Sequence, residues 1–186
     1  MANKCSTMCI NLNVYSPPHV EKPKIRTFFE KRGKLGDLQE EMYCRVVNVD
    51  SVGASLLYLA CKYDHEAIVK HLLTRPALAV NQAKRDGATP LYIACQKGHE
   101  VIVKHLLTHP DLAVDQTRID GTTPLHMACQ RGDEAIVKLL CQHKANPFLE
   151  SAFGTPLSIA RRKGWRNIVD YLENTLPYKL SMCKVS

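Results

Sequence analysis

Two histidine–glutamate pairs carry residue types that bind zinc in many hydrolases. His65-Glu66 is followed by His71, and His99-Glu100 is followed by His105. A zinc-binding helix needs histidines at i and i+4, because those positions share one helical face. Here the histidines stand at i and i+6, which turns their rings about 240° apart at about 100° per residue. The spacing therefore predicts surface histidines on two helix faces and no metal site.

Cysteine and histidine near the start of the chain form a second candidate zinc site. Cys5 and Cys9 are followed by His19. A structural zinc site takes four ligands, and no second pair in the chain has zinc-finger spacing. We therefore expect two free thiols in a loosely attached tail. The chain also has no glycine-rich phosphate loop, and nothing groups a nucleophile with a base, so we expect no enzyme activity and no cofactor.

An internal repeat organises the chain around these residues. Ser55, Thr89 and Thr123 recur every 34 residues, and a cysteine recurs with the same period at positions 61, 95 and 129. A fourth, shorter copy starts near Gly154. Self-similarity at this period is typical of stacked repeat proteins, in which one unit cannot bury its apolar face alone. We therefore predict repeats that start near residues 53, 87, 121 and 154.

Each copy predicts two short helices joined by a turn. Thr89 suits the N-cap of the first helix, and Pro90 suits its first position, where no amide hydrogen is needed. Gly98 suits the end of that helix. A second helix follows, and Pro110 stops it because proline cannot continue a helix. The apolar stripe of the second helix consists of Ile102, Val103, Leu106 and Leu107.

The repeated string resembles the ankyrin repeat, whose consensus reads G-x-T-P-L-H-x-A-A, then G-H, then I-V-x-x-L-L. Residues 123–128, T-P-L-H-M-A, are nearly that string, and the resemblance covers about residues 53–174. It implies an all-α solenoid of helix-turn-helix repeats, whose concave surface of turns and first helices binds another protein. It also implies that His126 bonds across repeats. Asp64 and Lys144 depart from the pattern, because the family has glycine at both positions.

Four segments make up the predicted domain organisation. Residues 1–20 form a disordered or loosely attached tail, and residues 21–52 form N-terminal capping helices or a degenerate repeat. Residues 53–174 form about four ankyrin repeats, and residues 175–186 form a C-terminal tail. The basic stretch Lys22–Lys34 is compatible with a nuclear import signal, although a solvated helix face is the simpler interpretation.

The eight cysteines indicate the cellular compartment in which the protein is found. Three of them occupy one repeat position, and packed helices of neighbouring repeats lie about 10 Å apart, whereas a disulfide needs Cα atoms within about 7 Å. We therefore expect Cys61, Cys95 and Cys129 to be buried thiols in a reducing, intracellular compartment, the cytoplasm or the nucleus. No secretory signal and no apolar run of transmembrane length is visible. We expect a monomer.

Basic residues form the main functional signal. The chain has a net charge of +7, and a positive side chain stands near the end of each predicted first helix. In the geometry that the resemblance implies, these side chains lie on the concave face and meet an acidic partner. Neighbouring tyrosine and isoleucine side chains are candidate apolar anchors. The predicted partner-binding residues are Lys62, Tyr63, Arg85, Tyr92, Lys97, Arg118, Ile119, Arg131, Arg162 and Lys163.

Other interpretations of the basic residues stay open. A charged stripe is often a solvated face with no partner. It also suits association with nucleic acid or anionic lipid, which depends strongly on salt. Within the protein-binding interpretation, an adaptor or regulatory subunit of the cell has the same sequence features as an effector that a pathogen or symbiont directs at a host protein.

Overall fold

Four pairs of helices make up the part of the chain that the computed structural model describes, residues 54–76 and 78–175. The first helices of the pairs are α1 (Leu56–Lys62), α3 (Pro90–Lys97), α5 (Pro124–Arg131) and α7 (Pro156–Lys163). The second helices are α2 (Glu66–Leu73), α4 (Glu100–Leu107), α6 (Glu134–Gln142) and α8 (Arg166–Thr175). The helix-turn-helix solenoid that the sequence predicts is confirmed for these residues.

Several predictions concern residues outside this range. The N-terminal tail of residues 1–20, the capping helices of residues 21–52 and the C-terminal residues 176–186 lie outside the described residues. The same holds for the basic stretch Lys22–Lys34 and for Cys5, Cys9 and His19. The proposed domain boundaries and the nuclear import signal therefore stay predictions.

Side-chain caps start the first helices, as the repeated serine and threonine predict. The Tyr92 amide donates to Oγ1 of Thr89 at 3.0 Å, and the Tyr58 amide donates to Oγ of Ser55 at 3.1 Å. These bonds satisfy amide groups that have no partner inside a helix. Gly98 ends α3 with a φ of 78°, a left-handed conformation that favours glycine. The predicted bounds of the first helices are therefore confirmed at both ends of α3.

Asp64 and Lys144 take the same left-handed conformation without being glycine. Their φ angles are 61° and 66°, and no other non-glycine residue in the described ranges has a positive φ. A side chain at such a φ is sterically disfavoured, although aspartate tolerates it better than lysine. Both departures from the repeated string thus keep the backbone of the glycine that they replace.

The apolar core runs as one layer between the two rows of helices. Ile102, Val103 and Leu106 of α4 are completely buried, as their spacing predicts. Cys61, Cys95 and Cys129 are also buried and carry free thiols, which confirms the prediction that they pack as small apolar residues. Neighbouring first helices make closer contact than neighbouring second helices. The array therefore curves, with the first helices on its concave side.

Turns project from the repeats beside the first helices and are linked to one another. The Ile119 amide donates to the Asp86 carbonyl at 3.0 Å, and the Ala152 amide donates to the Asp120 carbonyl at 3.0 Å. Each turn therefore holds the next one in register. This places the turn side chains in a row next to the ends of the first helices.

Candidate partner-binding surface

A groove of about 360 Å³ lies where the turns meet the first helices of the second, third and fourth repeats. Gln96, Gln130 and Arg162 line it from the first helices, and Arg118 and Phe153 line it from the turns. It combines amide, cationic and apolar side chains in one concave site. Side chains able to form hydrogen bonds, ion pairs and apolar contacts therefore face the same space.

The structure separates the predicted basic stripe into two rows. Lys62, Gln96, Gln130 and Arg162 occupy one repeat position, and Tyr63, Lys97, Arg131 and Lys163 occupy the next. The groove is lined by three residues of the first row and by Lys163 of the second. Lys97 and Arg131 are exposed but do not line it. The single stripe that we predicted is therefore two rows, of which only one faces the groove along its length.

Arg131 is held by residues of its own and the preceding repeat. Its Nε atom donates to Oδ2 of Asp133 at 2.6 Å, and a Cβ at Gly98 would lie 2.5 Å from its Nη2 atom. The guanidinium thus covers Gly98 while Asp133 compensates its charge. Asp133 therefore places an acidic side chain directly beside one of the predicted binding cations. Asp133 is only two residues away in the sequence, but the pairing depends on the conformation of the turn between them.

Acidic turn residues compensate Arg118 in the same way. Its Nη1 atom donates to Oδ2 of Asp120 at 2.9 Å, and its Nε atom lies 3.5 Å from Oδ2 of Asp86. Burial raises the pKa of Asp120, but hydrogen bonds from Thr122 and the charge of Arg118 outweigh it and hold that pKa below its ordinary value. Arg118 therefore lines the groove as half of an ion pair, and it contributes little net positive charge.

Two of the predicted anchors differ sharply in exposure. Tyr92 is only 3 % exposed, and its hydroxyl oxygen lies 3.2 Å from Oγ1 of Thr122 in the next repeat. This side chain links two repeats and also lines the groove, so its role as an apolar anchor stays a prediction. Ile119 is 80 % exposed at the tip of its turn. The residue type alone could not distinguish these outcomes, because tyrosine suits both core edges and interfaces.

The remaining predicted residues differ in burial and in ionic contacts. Lys62 and Tyr63 are half-buried in the first repeat, with the Lys62 ammonium 4.9 Å from the centre of the Tyr63 ring. Four basic side chains are exposed and form no ion pair with any residue in the described ranges. They are Arg85, Lys97, Arg162 and Lys163.

Phe153 is an apolar groove residue that the sequence reasoning missed. It is 55 % exposed, and the Arg162 guanidinium lies 3.5 Å from its carbonyl oxygen. The fourth copy has Phe153 where the second and third copies have Asp86 and Asp120. That change was a usable signal, because a phenylalanine in a turn that projects from the array is expected to be exposed.

His126 forms the bond across repeats that the resemblance implies. The Thr123 amide donates to Nδ1 at 3.1 Å, so the ring proton is on Nε2 and points to the Gly154 carbonyl at 3.0 Å. Burial lowers the pKa of His126 and outweighs the opposing hydrogen bond from its ring to Gly154. The imidazole is therefore a neutral structural group.

The histidines of the second apparent metal-binding string also bridge repeats. His99 precedes α4, and its Nδ1 atom lies 3.5 Å from Oδ1 of Asp64. His105 is on α4, with Nε2 3.2 Å from Oε1 of Glu66. Both rings are partly exposed at the surface, and each also contacts an acidic side chain of the preceding repeat. No group of three or more potential metal ligands occurs within residues 54–76 and 78–175.

Comparison with protein-family models gives a match that covers most of the chain. A family model described as ankyrin repeats (3 copies) matches residues 35–118 and 100–176. No curated protein matches the chain. Among the helices that the structure describes, none is long and apolar enough to cross a membrane.

Proposed function

Because the chain belongs to the ankyrin repeat family, we propose that it binds an acidic surface of another protein through its concave face. Repeats of this family are generally protein–protein interaction modules and are typically not enzymes. The chain then acts as a monomeric adaptor or regulatory subunit in the cytoplasm or nucleus. The partner supplies any catalysis.

The observation that carries this proposal is the uneven compensation of charge on the concave face. Arg118 and Arg131 are neutralised by aspartates, whereas Lys97, Arg162 and Lys163 are exposed and form no ion pair with the rest of the described chain. Uncompensated charge attracts an oppositely charged surface, raises its association rate and gives the binding a salt dependence. These three cations therefore favour an acidic partner.

The second helices carry cations of a different kind. Lys70, Lys104 and Lys138 each form an ion pair with the glutamate four residues before them, at 2.6, 2.5 and 2.6 Å. Their charges are compensated within one helix, and they lie on the convex side. These lysines supply a matched control, since replacing three of them changes the net charge as much as replacing three concave residues.

Affinity capture from a cell extract tests the proposal with two triple variants. The concave variant carries Lys97→Glu, Arg162→Glu and Lys163→Glu, and the convex variant carries Lys70→Glu, Lys104→Glu and Lys138→Glu. Exposed charges contribute about 0–1 kcal/mol each to stability, so both variants should fold, which circular dichroism checks. We expect the concave variant to lose the captured proteins and the convex variant to keep them. The reverse result would place binding on the second helices.

Association with a polyanion is the competing outcome of the same experiment. Affinity for nucleic acid grows with the number of phosphates that cations neutralise, and the ion pairs of Arg118 and Arg131 leave fewer free cations for that purpose. The structure therefore favours a protein partner. If single-stranded nucleic acid or anionic vesicles displace the captured proteins at equal charge concentration, the polyanion function would replace the proposed one.

A further inference from the structure

The groove has an apolar end between the third and fourth repeats. Met127 of α5 and Ile159 of α7 line it and are 6 % and 3 % exposed, so they form its floor. Phe153 lines it from the turn and is 55 % exposed, so it forms the rim. An apolar side chain that enters this end would cover an aromatic ring that water now contacts, and burial of that surface is favourable.

Amide side chains continue the groove toward the second repeat. Gln96 and Gln130 occupy one repeat position, are exposed and line the groove. The amides form no hydrogen bond with another residue in the described ranges. Packed helices lie about 8–10 Å apart, and three residues of an extended chain span about 10 Å. An extended segment along the groove can therefore meet one of these amides at about every third residue.

Positive charge is concentrated next to the apolar end. Arg162 and Lys163 line the groove there, and neither forms an ion pair with any residue that the structure describes. The other charged pair of the groove, Arg118 and Asp120, neutralises itself at 2.9 Å. The groove thus presents net positive charge at the same end as Phe153.

We propose that this groove binds an extended segment of a partner protein in which a large apolar side chain stands within about three residues of an aspartate or glutamate. The proposal rests on the proposed function and specifies what the concave face recognises. The apolar side chain lies against Phe153 above Met127 and Ile159. The carboxylate meets Arg162 and Lys163, and the two glutamine amides bond to the backbone of the segment.

Charge argues against the C-terminal end of this chain as the occupant. Residues 176–186 contain Lys179 and Lys184 and no aspartate or glutamate. A segment with this composition would place positive charge next to Arg162 and Lys163. The groove therefore suits an acidic segment of another protein better than the end of its own chain.

Peptide display tests the proposal without a known partner. The full chain is the bait for random peptides of about twelve residues, a length that spans about 40 Å when extended. Enriched peptides are synthesised, and their dissociation constants are measured by fluorescence anisotropy. We expect the enriched sequences to share a large apolar residue within about three positions of an acidic one.

Matched variants then assign the two contacts. Phe153→Ser removes the aromatic ring at the rim of the groove. Phe148→Ser is its control, because Phe148 is 45 % exposed and does not line the groove. Arg162→Glu with Lys163→Glu reverses the cations, and Lys70→Glu with Lys104→Glu is the control on the second helices. We expect each groove variant to weaken peptide binding at least about tenfold and each control to change it less than about twofold.

Several results would overturn the proposal. The first two are a selection that enriches no sequence family and one that enriches peptides without an acidic residue. The third is an equal loss of peptide binding in Phe153→Ser and Phe148→Ser. The fourth is binding of single-stranded nucleic acid at the same site with the same dependence on Phe153. The capture experiment separates this failure from that of the proposed function. If the concave triple variant still loses captured proteins, the chain binds a folded acidic surface, and only the peptide proposal fails.

Discussion

His126 of the third repeat donates a hydrogen bond from Nε2 to the carbonyl oxygen of Gly154 in the fourth, 3.0 Å away. The same ring accepts a hydrogen bond from the Thr123 amide at 3.1 Å. One buried side chain thus caps the start of α5 and fixes the turn that carries Phe153. The orientation of the groove rim therefore depends on a buried residue that does not itself contact a binding partner.

Replacing His126 should destabilise the array. His126→Ala leaves the Gly154 carbonyl without this donor and opens a cavity, so we expect the free energy of unfolding to fall by about 2–4 kcal/mol. His143→Ala is the control, because His143 is exposed at the end of α6, and it should change stability by less than about 0.5 kcal/mol. Urea denaturation measures both. A fall of less than about 1 kcal/mol for His126→Ala would show that the cross-repeat bond contributes little.

The same histidine should make stability depend on pH. Burial lowers the pKa of His126 in the folded state, although Asp115 and Asp120 oppose the shift. The unfolded chain then binds more protons as the pH falls through the ordinary value of about 6.5. The free energy of unfolding should therefore decrease between about pH 7.5 and 5.5. His126→Ala should show a smaller decrease in urea midpoints, and equal decreases in both proteins would contradict this origin.

Lys144→Gly should stabilise the protein. Lys144 has a φ of 66°, a conformation that glycine adopts without strain. We expect a gain of about 0.5–1 kcal/mol, reduced by the entropy that glycine adds to the unfolded chain. Lys144→Ala keeps the Cβ atom and should gain nothing, so it separates backbone strain from the loss of a charge. A lower thermal midpoint for the glycine variant would show that the Lys144 side chain stabilises the turn.

The repeat cysteines should be unreactive in the folded protein. Burial raises the pKa of Cys129 to about 12 and also raises the pKa of Cys61 and Cys95. Alkylation by iodoacetamide near pH 8 needs a thiolate, so these three thiols should react only when the protein unfolds. Peptide mapping by mass spectrometry measures each site. Rapid labelling of Cys95 in the native protein, or a thermal midpoint that falls with dithiothreitol, would contradict this prediction.

The sequence predicted the repeats, their caps and their apolar stripes because those features depend on local rules. Thr89, Pro90 and Gly98 each act within one helix, so their residue types were sufficient. The compensation of charge depends on the conformation of the turns. Asp133 lies two residues after Arg131 in the sequence, yet only the folded turn shows that their side chains meet at 2.6 Å.

Local sequence rules also could not predict which side chains on the concave face are exposed. Tyr92 and Ile119 were both predicted as anchors, and the structure buries the first against Thr122 and exposes the second. That difference comes from contacts between successive repeats. Phe153 was predictable in principle, because it stands where two other copies have aspartate.

The central claim, that the concave face binds the partner, is tested most directly by hydrogen–deuterium exchange of the full chain with and without a captured protein. Binding slows the exchange of backbone amides that it covers. We predict slower exchange in the turns at residues 84–87, 118–121 and 151–154, with no change in the second helices α2, α4 and α6. Slower exchange confined to those second helices, with unchanged turns, would contradict the account.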